Sequence, residues 1–249
     1  MRRSFFGFVG ISLIHSALGR VVDRILPLPL ARQADFEATT TLKFAIARWR
    51  SGSKFRGRTD IRVNVGCGSK AIDGYVNLDI AGFPNVDFWD CRKSLPFDDN
   101  SAEFIFAEHV FEHFEYKTES FQFLTECHRC LKEGGVLRIV VPDAGRFVSL
   151  YNASWNSLVP IRPLIPRGDG YQDAWLPNIY KTKMELINAV FRQGFEHKYA
   201  YDYETLDLHM KEAGFEDVRL QEYNKSASSC PPPDLRDRQT ESLYVEAIK

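Results

Sequence analysis

The stretch that decides the fold is VNVGCGSK (63–70), followed closely by GYVNLDI (74–80). Each stretch contains a short run rich in β-branched and apolar residues that ends in glycine or aspartate, as a buried strand does where it enters a turn. Too few residues separate Gly66 from the second run to form a full helix between them. The two stretches therefore predict neighbouring strands that are joined by a short glycine-containing turn.

The same alternation of strand-like and helix-like segments continues to the end of the chain. Strands and helices in repetition favour a mostly parallel sheet with helices on both faces. The predicted fold class is therefore α/β, a Rossmann-like sheet of seven strands with an N-terminal helical appendage. The strands are expected at 61–65, 75–80, 85–90, 103–107, 135–141, 216–222 and 243–248, and the helices at about 118–132 and 203–213. Gly134 and Gly135 are expected to end the first of these helices.

Composition excludes several classes of protein. The chain has 249 residues, of which 26% are charged and 13% aromatic, and this rules out a disordered chain, a collagen and a coiled-coil rod. A formal net charge of −1 gives no general reason to expect nucleic-acid binding. Five cysteines in a chain of this length do not form a disulfide framework, and their odd number favours reduced thiols.

Residues 1–60 differ from the rest of the chain in charge, because they carry 11 Lys+Arg and 4 Asp+Glu whereas the remainder is net acidic. Their apolar run, 5–14, is shorter than the roughly 20 residues that span a bilayer. Three interpretations stay open: a helix that packs on the main domain and leads into a basic linker at 48–58, a membrane-surface helix, or a secretory signal. We expect a basic, apolar helical extension and linker, with peripheral membrane contact through residues 1–24 as one option.

Polar residues and glycines follow the predicted strands at their carboxyl ends, where open α/β sheets bind ligands. Gly66 and Gly68 let the backbone turn sharply and approach a ligand closely. Asp79 ends the second strand, where an acidic residue accepts hydrogen bonds from ribose hydroxyls, and Asp90 ends the third, where a carboxylate can accept from an adenine amine. Each residue also has an ordinary structural explanation in a turn. Together they predict a nucleoside ligand, and the missing third glycine disfavours a pyrophosphate cofactor.

The order of these blocks resembles the class I S-adenosylmethionine-dependent methyltransferases. The resemblance is carried by VNVGCGSK, GYVNLDI, WDCRKSLPFDDNSAEFIFAEHVFEHF and FLTECHRCLKEGGVLRIVVPD. The chain is similar to small-molecule methyltransferases whose blocks read G-C-G, L-P-F, L-E-H and K-P-G-G. Among these enzymes it most resembles a branch in which the first crossover between strands is shortened. Some members of that branch are associated with cell-surface sugar synthesis. The similarity covers residues 61–143 and, less closely, 195–249.

The resemblance implies an enzyme that transfers a methyl group from S-adenosylmethionine to a small-molecule or glycan-like acceptor in the cytoplasm. The residues that it assigns to the cofactor are Gly66, Cys67, Gly68, Asp79, Ile80, Asp90, Cys91 and Glu108. The glycines would face the methionine part, Asp79 the ribose, and Asp90 with Cys91 the adenine, while Glu108 would lie near the sulfonium. The chain departs from the family at Asn64, where many members have an acidic residue.

The catalytic residue is unknown from the sequence, and the candidates for a general base are His109, His113 and His197. A base is required only when the acceptor holds its proton tightly. Residues 109–113 also match H-x-x-E-H, a zinc signature that needs a third ligand further along the chain. Here the motif directly follows a predicted strand, in the place of the L-E-H block. No metal site is therefore predicted.

The main domain is expected to span 61–249. Its connection at 144–200 is longer than an ordinary connection and contains several aromatic residues, which favours an acceptor-binding insertion over a simple cover for the sheet. The alternative function is a non-catalytic binding or scaffold protein that keeps the fold, supported by Asn64 and by the absence of an obvious base. The acidic balance of the main domain argues against nucleic acid as a partner.

Overall fold

The computed structural model describes residues 28–51, 53–153, 182–193, 196–229 and 231–249. Its centre is a seven-stranded sheet with the order β3-β2-β1-β4-β5-β7-β6. The strands are β1 (Ile61–Val65), β2 (Val76–Asp79), β3 (Asp87–Phe88), β4 (Ala102–Glu108), β5 (Leu131–Pro142), β6 (Asp217–Gln221) and β7 (Ser242–Ile248). The described helices are α1 (Leu28–Ser51), α2 (Glu119–Cys130), α3 (Ala144–Leu150), α4 (Lys183–Arg192) and α5 (Tyr203–Glu212). A single 3₁₀ turn, Phe111–His113, follows β4.

Strands β1 to β5 run parallel, and β7 lies antiparallel between β5 and β6. The prediction of a seven-stranded, mostly parallel, Rossmann-like sheet is thus confirmed. The strand order reverses at β1, because β2 pairs with one of its edges and β4 with the other. A crevice for a ligand forms outside the carboxyl ends of the strands at such a reversal.

Side chains of successive strand residues point to opposite faces of the sheet and so build two cores. Leu78 and Ala107 belong to the larger core, which α2 and α5 cover. Phe106 belongs to a smaller core on the other face. Asp79 and Glu108 each follow a residue of the larger core, so both project from the second face at the carboxyl ends of β2 and β4.

Most predicted boundaries lie within one or two residues of the observed ones, and the junction of α2 with β5 and the length of β3 differ most. Helix α2 ends at Cys130 and β5 begins at the next residue, so Gly134 and Gly135 lie within a strand and do not end the helix. The pairing of β4 with β5 shifts register in this part of β5, and Gly134 adopts a positive φ of 73° there. The third strand is confined to Asp87–Phe88, shorter than the predicted 85–90.

The N-terminal helix packs against the β3 edge of the sheet. Phe44 of α1 meets Trp89 edge to face, with ring centroids 5.2 Å apart. After the helix, Phe55 is 1% exposed and packs edge to face on Phe97. The predicted linker at 48–58 is therefore wrong for the described residues: the helix runs through the first part of this range, and the turn behind it is anchored in the core.

Other predictions fall on parts of the chain outside the described residues. The membrane-surface and signal interpretations rest on residues 1–24, which are not among them. In the described ranges, no helix has both the length and the apolar character needed to cross a bilayer. Of the predicted insertion at 144–200, the described parts contain α3 and α4, which pack together through Phe147, Leu186 and Val190.

Candidate active site

The turn after β1 folds back over the end of β2. Gly66 and Gly68 have positive φ angles of 62° and 52°, which residues with a side chain rarely adopt. A Cβ added at Gly66 would lie 2.3 Å from the side chain of Val110, whereas one added at Gly68 would meet none of the described atoms within 4 Å. Packing of Val110 therefore requires the first glycine, and the open side of the turn lies at Gly68.

Asp79 holds this turn from the end of β2. One of its carboxylate oxygens accepts the N–H of Gly68 at 2.8 Å, and the other accepts the N–H of Ala81 at 2.7 Å. The residue is 6% exposed, and burial raises the pKa of the carboxyl although these N–H groups lower it. A carboxylate oxygen can accept more than one hydrogen bond, so both oxygens can still accept from hydroxyls. The environment fits the predicted ribose contact.

Asp90 has a different partner from the predicted adenine amine. Its carboxylate is fully buried and accepts hydrogen bonds from Nε and Nη2 of Arg92 at 2.9 and 3.0 Å. Arg92 also pairs with Glu37 on α1 at 2.9 Å and with Glu119 on α2 at 3.3 Å. The carboxylate is thus the inner member of a charge network that joins both helices to the loop after β3.

The two cysteines assigned to the cofactor are buried thiols. Burial raises the pKa of Cys67 to about 12 and raises that of Cys91 well above its ordinary value. Both thiols are therefore protonated at neutral pH and offer apolar surface and backbone groups rather than charge. Ile80 is half-buried beside Asp79. Leu95 packs in the core, and its N–H donates to the carboxylate of Glu126 on α2.

Glu108 lies at the end of β4, on the same face as Asp79. One of its oxygens accepts the N–H of Leu235 at 3.0 Å, which ties the segment before β7 to this edge of the sheet. Burial raises the pKa of Glu108 to about 8, and the charge of Asp234 adds to the effect. The carboxyl is therefore largely neutral at pH 7.

A residue that the sequence analysis did not single out brings the three candidate histidines together. Glu112, in the 3₁₀ turn after β4, is 1% exposed. His109 Nδ1 and His197 Nε2 lie 3.3 and 3.8 Å from its Oε1. One side-chain ligand atom from each of Glu112, His113 and His197 lies within 4.8 Å of the other two. The signal in the sequence was the H-x-x-E-H pattern, whose glutamate was not weighed by itself.

Backbone contacts fix the position of this cluster. The N–H groups of Lys198 and Tyr199 donate to the carbonyl of Glu112 at 2.8 and 3.3 Å, so the segment before α5 lies against the turn after β4. His109 adopts a positive φ of 52°, uncommon for a residue with a side chain. Its Nε2 lies 2.9 Å from Oγ of Ser242, at the start of β7. The cluster therefore sits where β4, β5 and β7 meet.

Burial and the neighbouring imidazoles act in opposite directions on Glu112. Burial raises the pKa of its carboxyl, but His109, together with His113 and His197, lowers the pKa by more than burial raises it. The net result is a pKa of about 2. Burial lowers the pKa of His197 to about 4, against the opposing effect of the carboxylate. At neutral pH the centre of the cluster is thus an ionised carboxylate beside a neutral imidazole.

A family model described as a methyltransferase domain matches residues 89–139, from just after β3 to within β5. The match includes Asp90 and the turn that carries Glu112, and it does not extend to the glycine turn. No curated protein sequence matches the chain.

Several solved structures are similar to the chain. A SAM-dependent methyltransferase from Archaeoglobus fulgidus is 19% identical, with 84% of this chain and 94% of that one covered, at a TM-score of 0.43. An S-adenosylmethionine-dependent methyltransferase from Mesorhizobium loti is 15% identical, with 82% and 98% covered, at 0.43. A SAM-dependent methyltransferase from Thermotoga maritima, described as a possible histamine N-methyltransferase, is 16% identical, with 86% and 96% covered, at 0.45.

The family match spans β4 and α2 and reaches into β5 of the seven-stranded sheet. Over these residues the chain is similar to a methyltransferase domain, in agreement with the resemblance seen in the sequence. S-adenosylmethionine as the cofactor, and the residues that hold it, remain predictions.

Proposed function

We propose that the chain transfers a methyl group from S-adenosylmethionine to a small-molecule or glycan-like acceptor. The observation that carries the proposal is the arrangement of polar groups along one edge of the sheet. The open glycine turn and Asp79 lie at the ends of β1 and β2, and the cluster around Glu112 lies beyond β4. Because the strand order is β3-β2-β1-β4, a donor laid across β3, β2 and β1 directs its methionine end towards β4.

In this proposal the chain positions the donor by several contacts. Asp79 accepts the ribose hydroxyls through its remaining lone pairs, and Gly68 leaves room for the methionine part. Cys91 borders the adenine, while Asp90 acts as a positioning residue through Arg92. Bound S-adenosylmethionine supplies an electrophilic methyl group on a cationic sulfur. Close alignment and exclusion of water supply much of the rate in such a displacement.

The acceptor is proposed to lie beyond the ends of β4 and β5. Tyr116 and Tyr199 stack there with ring centroids 4.0 Å apart, and Tyr199 also lies against the turn that carries Glu112. The stacked tyrosine rings lie beside the polar turn with Glu112, and this arrangement suits a ring-shaped acceptor with hydroxyl groups, such as a sugar or a phenol. The cytoplasm is the proposed location, since the donor is made inside cells, and membrane contact through residues 1–24 stays a prediction.

The non-catalytic alternative loses one of its supports. Asn64, which departs from the acidic residue of many family members, donates from Nδ2 to Oδ1 of Asn77 at 2.9 Å and to the carbonyl of Lys70 at 3.0 Å. The amide therefore stabilises the loop after β1, a role that a carboxylate, which only accepts, does not offer. The substitution changes how the loop is held and is compatible with donor binding.

The test is transfer of a labelled methyl group. The full chain is incubated with methyl-labelled S-adenosylmethionine and a small-molecule extract of its own cells, and low-mass products are separated and counted. We expect label in a discrete low-mass product. Donor binding without any labelled product would support the scaffold alternative instead.

A further inference from the structure

We propose that Glu112, His113 and His197 bind a single divalent transition-metal ion, of which zinc is the type. One ligand atom from each residue lies within 4.8 Å of the other two. Zinc binds imidazole nitrogen and carboxylate oxygen at about 2.0–2.2 Å, so two ligands of a tetrahedral ion stand about 3.4 Å apart. Binding would bring these atoms closer together than they lie in the structure. Two imidazoles and a carboxylate form a ligand set that is common in zinc and iron sites.

The two histidines are held in the tautomer that metal binding needs. His113 Nδ1 lies 3.1 Å from the carbonyl oxygen of Glu196, and His197 Nδ1 lies 2.7 Å from that of Val190. Since a carbonyl oxygen only accepts, each Nδ1 carries the proton and each Nε2 keeps its lone pair. A backbone carbonyl that accepts from the far ring nitrogen is a usual support for a metal-ligating histidine. The rings meet edge to face, with centroids 4.8 Å apart.

Glu112 supplies a buried negative charge for such an ion. Neither of its carboxylate oxygens has a hydrogen-bond partner in the described part of the chain, although His109 lies at ion-pair distance. A buried carboxylate without hydrogen bonds is costly and calls for an explanation. A bound cation would satisfy both oxygens. The ligand set differs from that of the sequence motif, because His109 is turned towards Ser242 and the third ligand comes from His197.

Space for an exogenous ligand lies beside the cluster. A small cavity of about 10 Å³ is lined by Glu112 and His197 together with Val190 and Tyr199. That volume holds about one water molecule, which is what the open position of a three-ligand zinc site takes. The further idea that an acceptor hydroxyl would occupy this position rests on the proposed methyl transfer, whereas metal binding does not depend on it.

The test uses the full chain, stripped of metal with a chelator and titrated with Zn²⁺ and with Co²⁺ in the absence of any methyl donor. We expect one ion per chain by calorimetry and the visible absorption of tetrahedral Co²⁺. His113→Gln and His197→Gln should each weaken binding by roughly tenfold or more. His128→Gln, a histidine on α2 packed against Phe215, should bind as the unchanged chain does. Circular dichroism confirms that each variant is folded.

A second measurement does not depend on the variants. Histidine ring ¹⁵N resonances of the unchanged chain should shift at Nε2 of His113 and His197 when Zn²⁺ is added, and not at His128. Failure of the unchanged chain to bind one equivalent, or equal affinity in folded His113→Gln and His197→Gln, overturns the proposal. If the chain binds zinc but not S-adenosylmethionine, the methyltransferase proposal alone is overturned. If it binds S-adenosylmethionine but not zinc, the metal site alone is overturned.

Discussion

At the scale of single residues, two aspartates in similar sequence positions have different roles. Asp79 and Asp90 both follow a strand at the ligand edge of the sheet. Within the described residues, Asp79 accepts hydrogen bonds from backbone N–H groups, whereas Asp90 is paired with Arg92. Substituting Asp79 therefore removes a group that can still accept hydrogen bonds from a ligand. Substituting Asp90 would remove the fully buried member of the Arg92 network, leave Arg92 with Glu37 and Glu119, and chiefly affect folding.

Asp79→Ala should weaken the binding of S-adenosylmethionine by about 1–3 kcal/mol, the usual cost of losing a hydrogen bond to a charged group. The ribose hydroxyls lose their acceptor, and the N–H of Gly68 loses its own. Calorimetric titration of the folded variant measures the change. Asp87→Ala is the matched control, because Asp87 lies on the next strand in a partly exposed ion pair with Lys54. Equal affinities for Asp79→Ala and the control would show that Asp79 does not contact the donor.

Glu108 should make stability depend on pH. Burial raises the pKa of its carboxyl from 4.5 to about 8 in the folded chain, so the folded state binds more protons than the unfolded state between these values. The stability that the neutral carboxyl contributes is complete below about pH 4.5 and is lost as the pH rises through 8. Glu108→Gln keeps an acceptor for the N–H of Leu235 and cannot ionise. The free energy of unfolding of Glu108→Gln, relative to that of the unsubstituted chain, should therefore rise by roughly 1–3 kcal/mol between pH 5 and pH 9.

Urea unfolding at pH 5, 7 and 9 checks this expectation. Glu103→Gln serves as control, because this carboxylate lies on the same strand, is part-exposed and pairs with Lys132. The difference in stability between Glu108→Gln and the unsubstituted chain should change with pH. A difference that stays constant from pH 5 to pH 9 would contradict the raised pKa of Glu108.

At the scale of elements, α1 is part of the structure that supports the site. It contacts the loop after β3 through the ion pair of Glu37 with Arg92 and through the packing of Phe44 on Trp89. The Arg92 network also reaches α2, so the loop that carries Asp90 is held between two helices. An N-terminal extension with these contacts fixes the adenine side of the proposed donor site.

Phe44→Ala should lower the free energy of unfolding by about 2–4 kcal/mol, because it opens a cavity between α1 and the sheet. The side chain is 8% exposed, whereas Leu42 on the same helix is 62% exposed. Leu42→Ala should therefore change stability by less than about 0.5 kcal/mol. Denaturant unfolding of both variants makes the comparison. Similar losses for the two would mean that the contact of α1 with the sheet contributes little.

At the scale of the whole molecule, one edge of the sheet gathers the groups of both proposed partners. The proposed donor contacts lie at β1 to β3, and the proposed acceptor side lies beyond β4 and β5, which follow β1 in the strand order. The strand order and the periodicity of short apolar runs made this much predictable from the sequence, since each strand and the residue that ends it are local features. Asp79 was predicted in this way to end β2, and the strand does end there.

Other features depend on contacts between distant parts of the chain and could not be predicted from local patterns. His197 reaches Glu112 only because the segment before α5 pairs its N–H groups with the turn after β4. Asp90 pairs with Arg92, and no spacing rule predicts this ion pair. The linker at 48–58 was inferred from basic composition, yet Phe55 within it is buried in the core.

The most direct test of the account is calorimetric titration of the full chain with S-adenosylmethionine, beside the same titration of Gly68→Val. One molecule of S-adenosylmethionine should bind per chain with micromolar affinity. Binding should be lost in the variant, because its side chain would fill the open side of the turn. Thermal melting of the ligand-free variant confirms that it is folded. Absence of binding to the unchanged chain at high micromolar concentration, or unchanged binding in folded Gly68→Val, would contradict the account.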